Sequence, residues 1–107
     1  MKHYLLSMPL GSDVFMHCYV MSNDKGIVEQ ATNKMVYETE KLIGEPVPVP
    51  VVLATPLGAA NVKLIRRVLI EEYPKAAAQL EEATDFHITI WGMARSAPNC
   101  IKLMAMH

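Results

Sequence analysis

The alternation of apolar and polar positions divides the chain into strand-like and helix-like stretches. Lys2 to Met8 reads as a strand ended by the turn signal Pro9-Leu10-Gly11. Val14 to Met21 is rich in Val, Phe, Cys and Tyr, residues that suit a pleated, half-buried surface, and predicts a second strand forming a hairpin with the first. A helix over 14–21 is the alternative, because Ser12 or Asp13 could cap it and the run lacks clean alternation.

Ser22-Asn23-Asp24 then offers cap oxygens for a helix from about residue 25 to 43. Ile27, Val28, Ala31, Met35, Leu42 and Ile43 supply its apolar stripe, and Gly44 is a natural terminator. Pro46-Val47-Pro48-Val49-Pro50-Val51 follows. Residues before proline are pushed extended, and in an extended chain alternate residues point their backbone groups to the same lateral side. All three prolines therefore remove donors from one side, which suits a sheet edge paired on the other, with Val51 to Ala54 entering the sheet.

Thr55-Pro56 has the form of a helix start, an N-cap oxygen before a first-turn proline. Val62, Ile65, Val68, Leu69 and Tyr73 form the expected buried stripe, Pro74 interrupts it, and residues 75–83 continue as a short or kinked helix. Phe86 to Ala94 alternates: Phe86, Ile88 and Ile90 share one face, His87, Thr89 and Trp91 the other. Arg95-Ser96-Ala97-Pro98 is a turn, and Asn99 to Met106 is the partner strand. Pairing Ala94 with Asn99 sets Trp91 opposite Lys102 and His87 opposite Met106.

The expected fold is α+β: one domain spanning 1–107, element order β-β-α-β-α-β-β, a mostly antiparallel sheet with helices packed on one face. If residues 14–21 were helical, the chain would instead be α/β.

Composition narrows the function classes. The chain of 107 residues is 51% apolar with a formal charge of −1. Residues 1–53 carry four basic and six acidic groups and residues 54–107 six and five, so neither half has the basic excess of a nucleic-acid binder. No apolar run reaches the roughly 18–20 residues of a membrane span, and no signal-peptide pattern opens the chain. Two cysteines, Cys18 and Cys100, are too few for a disulfide framework, which points to the cytoplasm. Eight methionines and a small, apolar chain point to burial between identical subunits, a homo-oligomer and most simply a dimer.

Candidate chemistry is sparse. Pro9-Leu10-Gly11 and Pro56-Leu57-Gly58 recur 47 residues apart, as duplicated units or as two turns using the same punctuation. At the second, the Thr55–Asn61 loop could present free N–H groups to an anion, although no Walker loop or GxGxxG accompanies it. With Met8 paired to Val14, His3 and His17 would lie diagonally on one face with Tyr19 between them and Cys18 on the other. No HxH, CxxC or HExxH spacing supports a metal, His87, Cys100 and His107 are scattered, and neither cysteine has a convincing base. Lys63, Arg66 and Arg67 cluster on the second helix, where Glu71 can neutralise Arg67 at i+4.

The most informative predicted face joins His87, Thr89, Trp91, Lys102, Met104 and Met106. Trp91, Met104 and Met106 would anchor an interface. The leading expectation is therefore a non-catalytic binding or regulatory protein, without metal or cofactor, that associates with itself and with another protein. Size and style suggest the analogy of viral or mobile-element inhibitors of host systems. The alternative is a small-molecule or nucleotide-binding protein, an enzyme if His87 serves as acid–base group. Its small anionic ligand would sit between the Thr55–Asn61 loop and the His87/Trp91 face, with Gly58, Asn61, His87, Trp91 and Lys102 as site residues.

Overall fold

The computed structural model describes residues 1–10, 14–82, 86–94 and 101–106, with side chains for 1–10, 14–75, 77–80 and 87–92. The elements are β1 (Lys2–Pro9), β2 (Val14–Ser22), α1 (Ile27–Ile43), β3 (Leu53–Pro56), α2 (Ala59–Glu72), α3 (Pro74–Glu82), β4 (Phe86–Ala94) and β5 (Ile101–Met106). They form one antiparallel sheet in the order β3-β1-β2-β4-β5 with helices packed on it, an α+β fold as expected. Residues 14–21 are strand, which removes the α/β alternative. No helix among the described residues is long and apolar enough to cross a membrane.

The first hairpin pairs Met8 with Met16, not with Val14, two residues away from the expected register. An even shift preserves the face of every side chain. Leu6, Met8, Met16, Cys18, Val20, Ile88 and Ile90 point to one side, where Ile27, Ala31 and Met35 of α1 cover them. Thr39 continues that row of α1, buried and with no hydrogen-bond partner for its Oγ1 among the described residues. Leu42 and Ile43, expected in the stripe, are exposed. Gly44 ends α1 at φ 76°, and its N–H donates to the Glu40 carbonyl at 2.9 Å. Asp24 shapes the start, accepting from the Gly26 N–H at 2.9 Å, although Gly26 itself is the cap residue.

The opposite face is covered as well, so the helices do not all lie on one side. Tyr19, Met21 and Trp91 pack against Leu69 of α2 and Ala77 and Leu80 of α3. Val68 is not part of this packing and is 39% exposed. The sheet is thus buried between α1 and the α2–α3 pair, and Trp91 is 4% exposed under its own chain's helices. That corrects the expectation of an exposed tryptophan.

The last hairpin also has a different register. Ile90 pairs with Met106, Trp91 with Ala105, Gly92 with Met104 and Met93 with Lys102, with an irregularity between Gly92 and Met93. Around Trp91 the offset from the expected pairing is three residues, and an odd offset exchanges faces. The backbone therefore places Met104 and Met106 opposite Gly92 and Ile90, outside the row of Trp91. The side chains of Phe86, Lys102, Met104 and Met106, and Arg95, Cys100 and His107 entirely, lie outside the described residues.

The Thr55-Pro56 segment is not a helix start. It belongs to β3, which pairs with β1 as Tyr4–Pro56, Leu5–Thr55, Leu6–Ala54 and Ser7–Leu53. The helix begins at Ala59, with Gly58 extended at φ −84° as its cap residue. Leu57 N–H donates to the His3 carbonyl at 2.9 Å. By alternation, Thr55 and Leu53 also point their N–H groups inward, while Ala54 and Pro56 face outward. Pro56 has no donor, so the outer edge of β3 offers only the Ala54 N–H and is poorly suited to sheet extension. Pro46 to Pro50 stay outside the ladder, tethered where Val47 N–H donates to Glu40 Oε2 at 2.9 Å.

Candidate functional site

On the face covered by α2 and α3, cross-strand pairing lines up His3, Met21 and His87 in one row. Leu5, Tyr19 and Thr89 form the next row, and Ser7, His17 and Trp91 the third. His3 and Tyr19 are diagonal neighbours. The His3 Nδ1 lies 2.7 Å from the Tyr19 hydroxyl, and the two rings stack with centroids 6.0 Å apart. The Arg66 guanidinium of α2 lies near enough to act on the same hydroxyl through its charge.

The charges assign the direction of these bonds. Burial first, then the Arg66 charge and the Met1 amine, hold the His3 pKa below its usual value, so the ring is neutral near pH 7. The Tyr19 pKa is raised by burial, with Arg66 acting in the opposite sense, so the phenol keeps its proton. With a neutral ring and a protonated phenol, the tautomer carrying its proton on Nε2 lets the Tyr19 O–H donate to His3 Nδ1.

Beside this relay is a recess of about 420 Å³. Met1 and His3 line the strand side, Leu57, Ala59 and Val62 form an apolar wall, and Lys63 and Arg66 supply two cations, with no carboxylate in the lining among the described residues. The α2 N-terminus is uncapped by any side chain, and its first turn has no acidic residue. A Cβ built on the adjacent Gly58 would meet open space. The recess thus sets two permanent cations beside the first turn of α2, a charge arrangement that suits a phosphate, sulfate or carboxylate group.

A larger recess of about 580 Å³ lies between Pro9, Leu10 and Val14 and the Pro46–Val49 segment. Among the described residues, its one charged lining residue is Glu45.

The other predicted constellations separate. His87 and Trp91 stand on β4, two strands from β1 and about 10 Å away by strand spacing, while the loop before α2 meets β1. Neither His87 nor Trp91 lines either of the two recesses above. Both are buried, His87 bonded to the Thr89 hydroxyl and its ring 5.9 Å from that of Tyr19. Gly58 and Asn61 flank the recess in sequence without lining it, and Asn61 is exposed. Lys102 lies outside the described side chains.

His3 and His17 share a face, but the observed register leaves them four residues apart along the hairpin, about 13 Å. One metal ion cannot bridge that distance, and no cluster of three ligating residues occurs among the described residues. His17 instead bonds Ser7 at 3.0 Å and lies 5.5 Å from the Trp91 ring. Cys18 is a free, buried thiol on the opposite face, its pKa pushed up to about 12 by burial, too high to supply a thiolate nucleophile at neutral pH.

Sequence reasoning grouped Arg66 with a self-neutralised helix face and not with His3 and Tyr19. The available signal was spacing: Glu71 stands four residues after Arg67, while Lys63 and Arg66 have no acidic residue three or four positions on. No family model matches the chain, and no curated protein or solved structure matches it.

Proposed function

We propose that this chain is a small non-catalytic binding or regulatory protein whose effector is a small anion held at the His3–Arg66 recess. The observation that carries the reading is the pairing of Arg66 and Lys63, without carboxylates, over the neutral His3–Tyr19 pair. A phosphate or carboxylate would accept from Arg66, Lys63 and the first turn of α2. The apolar wall of Leu57, Ala59 and Val62 would receive the carbon part of the same ligand. This keeps the loop before α2 from the sequence-based alternative and moves the rest of the site from β4 to β1.

The test is calorimetric titration with inorganic phosphate and with sulfate, together with amide NMR. One saturable site per chain is expected, weaker at high ionic strength, with the largest amide changes at His3, Leu57, Ala59 and Arg66. Binding of neither anion, or shifts centred elsewhere, would remove the reading.

A second reading, self-association, is supported by an apolar edge rather than by the buried Trp91. Val51 and Leu53, at 62% and 67% exposure, stand beside Val49 at the sheet margin. Their burial against a second copy would use side chains more than backbone, since that edge has few donors. Sedimentation equilibrium should then give at least twice 11.9 kDa, falling towards one chain in Leu53→Asp. A monomer at every concentration would refute it.

A further inference from the structure

We infer that anion binding at the His3–Arg66 recess takes up a proton on His3, so that the site tightens as pH falls. The inference rests on the anion-binding reading above and adds its regulation.

The coupling follows from what surrounds the ring. Along its own strand His3 has the Met1 amine; from β2 it meets Tyr19, and from α2 it faces Arg66, with Lys63 on the same recess. From the loop before α2 it receives only a backbone contact, Leu57 N–H to the His3 carbonyl. No carboxylate acts on the ring among the described residues. The groups that disfavour a proton on His3 are therefore burial and cations, and an anion beside Arg66 offsets the cationic part directly. It also supplies the negative partner that the free site lacks.

The hydrogen-bond chain can accommodate the extra proton without losing a partner. In the neutral state Nδ1 accepts from the Tyr19 hydroxyl. A protonated ring donates from Nδ1, the Tyr19 oxygen accepts, and the phenolic proton turns away from His3. The proton comes from solvent and no covalent bond between heavy atoms changes. Tyr19 can take either role because a hydroxyl both donates and accepts.

The sign for the free protein follows from the same arrangement. The His3 pKa is lowered on folding, so its stabilising contribution is present above about pH 6.5 and is lost as pH falls through the lowered value. A bound anion raises that value and restores stability in acid.

The probe is sulfate, which keeps its double charge across the range. The His3 ring protons are followed by NMR in wild type with and without saturating sulfate, and His3→Gln identifies the signal. The expected result is a rise in the His3 titration midpoint on adding sulfate. Sulfate affinity should also rise about threefold or more between about pH 7.5 and about pH 5.5. His3→Gln, whose amide oxygen can still accept from Tyr19, should lose most of that pH dependence. If sulfate binds but the His3 midpoint does not move, or His3→Gln keeps the full pH dependence, proton coupling is wrong and the anion site stands. If sulfate binds at no pH, both fall.

Discussion

Trp91→Ala is expected to destabilise the fold by about 3–5 kcal/mol, the range for removing a buried aromatic from a packed interior. Trp91 stands on β4, an inner strand between β2 and β5, and is 4% exposed. Leu69, Ala77 and Leu80 of α2 and α3 belong to the same buried cluster, and the His17 ring lies 5.5 Å from the indole. Removing the indole opens a cavity between sheet and helices that a helix pair tied by one residue, Tyr73, can only partly close. Urea denaturation followed by circular dichroism measures the loss. An alanine variant that kept wild-type stability and lost only self-association would make Trp91 an interface anchor and refute the packing described above.

The same residue shows what the sequence pattern carries. Alternation along Phe86 to Ala94 correctly separates Ile88 and Ile90 from His87, Thr89 and Trp91. It cannot say what covers the second face. A row of His, Thr and Trp resembles a half-polar surface, yet these side chains satisfy one another: His87 with Thr89, His17 with Ser7, Tyr19 with His3. A sheet can therefore be buried on both sides without two continuous apolar rows. The apolar stripe of α2 indicated a helix needing a surface, but not which of the two sheet faces it would take.

Register was less legible than face. Turn residues set the pairing of a hairpin, and expectations built on Met8–Val14 and Ala94–Asn99 assumed the tightest closures. The first was in error by two residues, so every face assignment held; the second was in error by three at Trp91, so the predicted Trp91–Met104–Met106 face did not form. Thr55-Pro56 failed for another reason. Local chemistry favoured a helix cap, but β1 presents an unpaired edge, and 53–56 supplies a strand for it from far along the chain. Proline phase remained readable, since Pro56 falls on the outward side where a missing donor costs nothing.

The candidate site was half legible for the same reason. The loop before α2 could be named as a candidate anion site from its own residues. Its partner could not, because only the pairing of β3 with β1 brings that loop to His3 and Tyr19.

Arg66→Glu is expected to weaken sulfate or phosphate binding at least about thirtyfold, ~2 kcal/mol, the largest binding effect of any single change at the recess. Arg66 touches the site twice: it lines the recess, and its charge acts on both His3 and Tyr19. Charge reversal replaces attraction with repulsion at the anion and takes the cation away from the Tyr19 hydroxyl. It also replaces the cation that helps keep His3 neutral with a carboxylate, so the His3 pKa should rise in the free variant. Arg66 is exposed, so solvent screening keeps the effect well below that of a buried charge, and fold stability should change little. Arg67→Glu is the control, since it alters net charge identically from the next position without lining the recess. It should cost less than about threefold, through long-range charge alone. Titration calorimetry on both variants separates the two cases. Equal losses would mean that the anion senses the overall charge of the helix rather than a site built on Arg66, and the assignment of the recess would fail.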